Sequence, residues 1–232
     1  MPTKDKSLEI IDPKKQLLLY GYKKYFHSFK KLFELNKLPN VILLSGQKGL
    51  GKCTFAYHFI NYVLSKNQEN NYSLKNFQIN ENNSSFKQIQ NDVHPDFFLL
   101  DNINYGENIK IEQIRDLLRF LNKSSLSDKE KIVLIDNAEF LNINSSNSLL
   151  KALEEQNKKT FFFIIHNNSK KILDTIRSRC IEFKLHFTQD EKGTIFKNII
   201  ENYDLKFNNK YINKLFLFNT PGNLLKHTID LE

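Results

Sequence analysis

VILLSGQKGLGKCT, residues 41–54, is the stretch that decides the fold of this 232-residue chain. Four apolar residues lead into a glycine-rich turn, and an apolar segment suited to a helix follows Lys52. A strand, a glycine loop, a lysine and a helix form the context of the phosphate-binding loop (P-loop) G-x-x-x-x-G-K-[ST]. Its glycines let backbone N–H groups approach phosphate oxygens, and the helix N-terminus adds its positive dipole end. The candidate phosphate-binding residues are Gly46, Gly49, Gly51, Lys52, Cys53 and Thr54.

The match to the motif is complete except at its last position. Cys53 stands where a hydroxyl would ligate Mg²⁺, and a neutral thiol is a poor ligand for that hard cation. Thr54 lies about 100° further round the helix, so we do not expect it to take over. The motif therefore predicts a phosphate-binding loop with a defective metal position.

The composition bounds the class of protein. The chain carries a net charge of +8 and a sequence pI of about 9.2, which suits an acidic partner such as nucleic acid. Its lysines are scattered, so a DNA-binding module is the weaker alternative. Cys53 and Cys180 provide neither a disulfide framework nor a four-ligand zinc site. Without a signal-peptide pattern or an apolar run of about 18 residues, we expect a cytoplasmic protein with no membrane contact.

Apolar runs alternate with amphipathic segments between residues 20 and 184. This order predicts an α/β fold with a parallel sheet flanked by helices and right-handed crossovers. Residues 66–94 are polar and rich in asparagine, which predicts an insertion or flexible crossover with one short helix near residues 86–89. The predicted strands are residues 41–45, 97–100, 132–135, 160–165 and 180–183.

The pattern changes after residue 186. Helical segments at residues 188–203, 208–218 and 221–231 follow one another without a strand. Thr188, with Glu191 three residues later, forms a capping-box pattern at the start of the first of them. We therefore expect an α/β domain over residues 1–186 and a small three-helix lid domain over residues 187–232.

Polar residues follow two of the predicted strands. In an open α/β sheet, ligands bind at the carboxyl ends of the strands. Asp136 follows the third strand and, beside a P-loop, is interpreted as a Mg²⁺-orienting carboxylate; alone it would be a turn or helix-cap residue. Asn167 follows the fourth strand, where it either orients a water or a γ-phosphate or is an ordinary loop residue.

Two motifs in the second half of the chain carry a resemblance to a known family. They are NSLLKALEE at residues 147–155 and TIRSRC at residues 175–180, supported by the P-loop and by the His94-Pro95-Asp96 stretch. From about residue 20 to its end, the chain resembles the AAA+ module of clamp-loader subunits, most closely the delta-prime subunits of bacterial DNA polymerase III. The Ser-Arg-Cys box after a Leu-Leu-Lys-x-Leu-Glu-Glu helix is highly specific to clamp loaders.

The resemblance implies an AAA+ ATPase domain with a helical lid, in a pentameric ring that places the sliding clamp on primed DNA. It implies the gamma/tau and delta subunits and the sliding clamp as partners, and primed DNA contacted through the assembled complex. The ring belongs to the DNA polymerase III holoenzyme, a DNA-directed DNA polymerase and nucleotidyltransferase. It also implies that Arg179 of the Ser-Arg-Cys box reaches ATP in the adjacent subunit as an arginine finger.

At three positions the sequence departs from the pattern that the resemblance implies for the ATP-hydrolysing members of the clamp-loader family. Cys53 replaces their Ser or Thr, and Asn137 replaces the Glu that acts as general base, although an amide cannot accept a proton from water. Gly222 stands where those members carry a nucleotide-sensing Arg. Glu139, two residues after Asn137, is expected at the surface or as a helix cap. The chain is therefore predicted not to hydrolyse ATP, with ATP and Mg²⁺ in its own site weakly bound or absent.

Two further features of the family are missing from this sequence. Clamp-loader modules often carry a four-cysteine zinc module in the place of residues 66–94, which contain no cysteine, so we expect no zinc. The sequence stops at Glu232, before the C-terminal collar domain that the resemblance implies, so we expect either a fragment or an unusually short subunit that lacks this domain. The main alternative to the non-hydrolysing interpretation is an ATP-hydrolysing gamma/tau-like clamp-loader subunit or another AAA+ ATPase.

Overall fold

The structure is a computed structural model that describes residues 12–102, 108–123, 130–155, 157–205, 216 and 219–230. Its strands are β1 (Val41–Gly46), β2 (Phe97–Leu100), β3 (Lys131–Ile135), β4 (Thr160–Asn167) and β5 (Ile181–Lys184). Its α-helices are α1 (Lys23–Glu34), α2 (Lys52–Ser65), α3 (Ser84–Gln90), α4 (Ile111–Asn122), α5 (Ile143–Glu154), α6 (Asp174–Arg177), α7 (Gln189–Asn202) and α8 (Pro221–Asp230). A short 3₁₀ helix, Ala138–Phe140, follows β3.

The strands form one parallel sheet in the order β2-β3-β4-β1-β5. This confirms the predicted α/β class, a parallel sheet flanked by helices. All five predicted strands are present, and β4 runs two residues further than predicted, to Asn167. β1 and β3 are buried along their whole length, as expected for parallel strands covered on both faces.

Alternate residues of β1 face opposite sides of the sheet. Ile42 and Leu44 belong to one apolar cluster, which they share with residues of α1 and α2. Val41 and Leu43 belong to a second cluster, which they share with residues of α4 and α5. The sheet is therefore the middle of three layers, and the carboxyl ends of its strands lie along one edge.

Residues 66–94 connect α2 to β2 and pack more firmly than their polar composition predicts. The predicted short helix is confirmed as α3. The rings of Tyr72 and Phe77 lie against Phe26 of α1, at centroid separations of 5.1 and 5.5 Å. Turns, rather than a helix or strand, bring these side chains to the core. Their burial therefore leaves no regular spacing in the sequence.

A third apolar cluster lies after β5 and includes Phe196 of α7 and Leu224 of α8. The predicted capping box at the start of α7 is confirmed. The Thr188 side chain accepts a hydrogen bond from Glu191 N, and the Glu191 carboxylate accepts one from Thr188 N. The predicted helix at residues 208–218 lies outside the described residues, except for residue 216.

No helix in the described part of the chain is both long and apolar enough to cross a membrane.

Replacing Phe77 by Ala tests whether residues 66–94 contribute to the core. Phe77 is 4% exposed, so we expect the free energy of unfolding to fall by about 3–5 kcal/mol, as for other buried Phe residues. The measurement is urea denaturation followed by circular dichroism. Lys75→Ala, at an exposed position of the same stretch, is the matched control and should change stability little. A loosely attached insertion would make both substitutions neutral.

Candidate functional site

The strand order brings three predicted site residues to neighbouring strand ends. Gly46 ends β1, Asn167 ends β4 beside it in register, and Asp136 follows β3 on the far side of β4. The site therefore lies at the carboxyl edge of the sheet, where open α/β sheets bind their ligands.

The P-loop backbone takes conformations that require glycine. Gly49 and Gly51 both have φ of +80°, a left-handed region that glycine enters without steric cost. The Tyr22 hydroxyl donates a hydrogen bond to the Leu50 carbonyl at 2.9 Å. Lys192 of α7 donates to the Gln47 side chain at 3.3 Å. The loop is thus held both by the residue before α1 and by the lid.

Lys52, the lysine of the P-loop, is buried and bonded to the loop itself. Its Nζ donates to the carbonyls of Gly46 at 2.9 Å and Gln47 at 2.8 Å. Burial lowers the pKa of Lys52 to about 8, while the carboxylates of Glu139 and Asp136 favour its charged form. The ammonium is therefore oriented by loop carbonyls and by the carboxylates at the neighbouring strand ends.

Cys53 lies at the first turn of α2, next to Asp136. The thiol and the carboxylate share a hydrogen bond, and the backbone N of Asn137 donates to Asp136 Oδ1 at 2.9 Å. Burial raises the pKa of both the Cys53 thiol and the Asp136 carboxyl. The glycines, the helix N-terminus and Lys52 fit the phosphates of a nucleotide. The donor set for Mg²⁺ does not fit, because a thiol replaces one of the oxygens that the ion prefers.

The two asparagines of the site are engaged in local structure. Asn137 has φ of +56°, and its amide Nδ2 donates to Asn102 Oδ1 at 3.3 Å. Asn167 Oδ1 accepts hydrogen bonds from Ser169 N at 3.2 Å and from Ser169 Oγ at 2.8 Å. In this structure Asn167 therefore stabilises the turn after β4, one of the two roles left open by its sequence position.

Glu139 belongs to this site, in contrast to the surface position expected for it. Its Oε2 accepts a hydrogen bond from Asn167 N at 3.2 Å. It also lines a cavity of about 340 Å³ together with Ser146 and Asp174, where the Ser146 hydroxyl is buried and has no hydrogen-bond partner among the described residues. The 3₁₀ turn after β3 carries Glu139 to this place, and no residue spacing in the sequence marks that turn.

The start of α8, in the expected lid, contacts the P-loop where two glycines face each other. Gly222 N donates a hydrogen bond to the Gly49 carbonyl at 2.9 Å, and the Thr220 hydroxyl donates to the Lys48 carbonyl at 2.7 Å. A Cβ on Gly222 would lie 2.7 Å from Gly49 O, and a Cβ on Gly49 would lie 2.3 Å from Thr220 Oγ1. Glycine is therefore needed on both sides, so Gly222 has a packing role besides the absence of an arginine.

Arg179 lies at the opposite edge of the sheet from the P-loop. It precedes β5, whose first residue pairs with Ile42 near the start of β1. The P-loop begins at Gly46, which lies roughly 13 Å further along β1 at about 3.3 Å per residue. Arg179 is therefore not brought together with the other predicted site residues.

The arginine box is held by glutamates whose pairing with it the sequence analysis did not predict. Arg179 is paired with Glu154 at the end of α5. Arg177 is paired with Glu182 of β5 at 2.8 Å, and the other oxygen of Glu182 accepts a hydrogen bond from Ser45 at 2.6 Å. These partners are distant in sequence or on another element, so only the fold reveals them.

The fold and the site together define an AAA+ P-loop protein. Domain III of the replication initiation protein DnaA from Thermotoga maritima superposes with a TM-score of 0.52 at 15% identity, over 95% of this chain and 87% of that chain. The RuvB Holliday junction branch migration motor of the same organism gives a TM-score of 0.52 at 17% identity, over 90% and 59%. At these identities the likeness concerns the fold alone.

Sequence comparison gives the family. The family model described as DNA polymerase III, delta subunit, matches residues 21–189, so the chain belongs to this clamp-loader family, as the resemblance predicted. Subunit delta' of Bacillus subtilis (strain 168) is 31% identical over 177 residues, or 75% of this chain and 47% of the relative. Subunit gamma of Buchnera aphidicola subsp. Schizaphis graminum (strain Sg) is 29% identical over 222 residues, or 92% and 58%. The chain spans about half the length of the curated relatives it matches.

Replacing Gly222 by Ala tests the contact between α8 and the P-loop. The sign of the resulting change in the free energy of unfolding decides the outcome. Within a helix, Gly→Ala ordinarily stabilises by about 1 kcal/mol. Here the new methyl group would meet the Gly49 carbonyl, so we expect the unfolding midpoint to fall and the lid to become more sensitive to limited proteolysis. Lys226→Ala, at an exposed position of the same helix, should leave both unchanged. A stabilised Gly222→Ala variant would show that the contact does not form in solution.

Proposed function

We propose that this chain is a delta-prime-like subunit of the DNA polymerase III clamp loader, which helps to load the sliding clamp on primed DNA during replication. Its partners are then the gamma/tau and delta subunits and the clamp, and primed DNA is contacted through the assembled complex. Family membership and the relatives named delta' and gamma support this proposal. The subunit itself does not hydrolyse ATP but supplies Arg179 to ATP held by a neighbouring subunit.

The position of Arg179 is the observation that carries the trans role. The side chain stands at the amino-terminal edge of the sheet, one strand length away from the P-loop of its own chain. It is exposed, with 34% of its side-chain surface accessible. An arginine that stabilises charge on a transferring phosphoryl group must contact that group, so Arg179 can act only on a nucleotide bound by another subunit.

Three features of the site support the absence of hydrolysis. The Cys53 thiol, rather than a hydroxyl, faces the Asp136 carboxylate. Asn137 supplies an amide where a general base would be needed. Gly222 packs directly on the P-loop. The resemblance implies a nucleotide-sensing arginine at this position in the ATP-hydrolysing clamp-loader subunits. Nucleotide binding by the loop, with Lys52 on its phosphates, is compatible with the first two features and would occur without turnover.

An ATP-hydrolysing gamma/tau-like subunit is the second candidate. The gamma relative matches 92% of this chain, and the glycines and Lys52 of the P-loop are intact. This candidate requires the P-loop of this chain to turn ATP over within the assembled loader, so a substitution of Lys52 separates it from the first.

Arg179→Ala should lower the clamp- and DNA-dependent ATPase of the reconstituted loader. A trans arginine is worth about 10³–10⁵ in rate at the site it serves, so the loader should lose nearly all turnover from that one site. Arg177→Ala is the matched control, because Arg177 is also an exposed arginine paired with a glutamate. Full ATPase in an assembled Arg179→Ala loader would contradict the trans role.

Lys52→Ala should leave the ATPase of the reconstituted loader within about twofold of wild type, because removing uniform phosphate binding affects turnover only where chemistry occurs. The equivalent P-loop lysine substitution in the gamma partner is the positive control and should abolish turnover. Assembly is checked by size-exclusion chromatography for each variant. A large loss of ATPase with Lys52→Ala in an intact assembly would instead favour the hydrolysing gamma/tau-like candidate.

A further inference from the structure

We propose that Glu154 is a positioning residue for Arg179: its carboxylate fixes one edge of the guanidinium so that the other edge faces the neighbour's phosphate. This inference rests on the proposed trans role of Arg179. It adds a second residue to that role, on a different element of the fold, which neither the sequence motifs nor the comparisons assign.

The contacts divide the guanidinium into a held edge and a presented edge. Glu154 Oε1 lies 2.6 Å from Arg179 Nε and 2.5 Å from Nη2. The carbonyl of Thr175 accepts from Nη1 at 2.9 Å, and the Ser178 hydroxyl lies 3.5 Å from the same nitrogen. Of the five N–H donors of an arginine, three are thus firmly engaged.

The N–H donors of Arg179 that remain after these contacts are on Nη1 and Nη2, the two nitrogens that can donate hydrogen bonds to phosphate oxygens. Among the described residues, Nη2 keeps one N–H without a partner, and the second N–H of Nη1 has only the long contact to Ser178. Nη1 and Nη2 form the end of the fork, where an arginine can make a bidentate contact with two phosphate oxygens. Glu154 occupies the side of the fork, so holding Arg179 and presenting it are compatible.

The elements that carry this pair are anchored in the core. Glu154 is the last residue of α5, directly after Leu153, which is 3% exposed. Thr175 is in α6, directly before Ile176, which is fully buried. A flexible arginine tied to two anchored elements has less freedom to lose when it meets its target, and preorganised charge is what stabilises a transition state.

Helix stability does not explain a carboxylate at this position. The C-terminus of a helix carries a partial negative charge, so Glu is disfavoured there and cations are favoured. Glu154 nevertheless ends α5, and Glu155 follows it as the C-cap residue. Glu154 makes an ion pair with Arg179, and Glu155 provides a control with the same charge and nearly the same place on the helix.

The test uses the reconstituted loader with clamp and primed DNA, and measures ATPase kcat and KM for four variants, one of which is Arg179→Ala. Glu154→Gln should lower the Arg179-dependent turnover about tenfold, less than the roughly 10²-fold that a 1 Å misplacement can cost, with KM for ATP unchanged. Glu155→Gln should match wild type. The double variant Glu154→Gln/Arg179→Ala should equal Arg179→Ala alone, a result that a merely structural Glu154 would not give.

Each other outcome identifies what has failed. If Arg179→Ala is itself neutral, the trans role fails and the positioning role falls with it. If Arg179→Ala is impaired while Glu154→Gln matches wild type, the trans role stands and the positioning role is overturned. A Glu154→Gln loader that is faster than wild type overturns it too, because Glu154 would then restrain Arg179. An additive loss in the double variant shows that Glu154 acts independently of Arg179.

Discussion

The parallel pairing of β5 with β1 is the constraint on which the functional geometry depends. Because both strands run in the same direction, the segment before β5 and the loop after β1 emerge at opposite edges of the sheet. The first carries Arg179 and the second carries the P-loop. A single chain therefore carries Arg179 and the P-loop at opposite ends of its strands. Under the proposed trans role, association between subunits would bring the Arg179 of one chain to the P-loop of another.

The P-loop is closed by contacts from its own chain. Lys52 donates to loop carbonyls, Cys53 meets Asp136, and Gly222 reaches the Gly49 backbone. Lys52 belongs to the phosphate-binding motif but bonds to carbonyls of the loop itself, and Cys53 departs from the motif. The loop has kept the shape that glycines and a helix N-terminus give it. In this structure that shape also serves to join the lid to the sheet.

Much of this fold could be read from the sequence, because its strands are buried on both faces and leave continuous apolar runs. The P-loop, Asp136 and the Ser-Arg-Cys box were found because each occupies a fixed place relative to a strand. The contacts of Glu139 and Glu154 were not predicted, since they depend on a 3₁₀ turn and on the packing of α5 against the segment before β5. The packing of Tyr72 and Phe77 was also missed, because side chains brought in by turns produce no periodicity.

The approach of Gly49 and Gly222 also limits the side chains that position 222 can accept. An arginine there would require the start of α8 to move away from the P-loop first. That movement would break the hydrogen bonds that Thr220 and Gly222 donate to the P-loop backbone. The size of the side chain at position 222 is therefore coupled to the attachment of α8, so a substitution at either glycine changes the whole contact and not one residue alone.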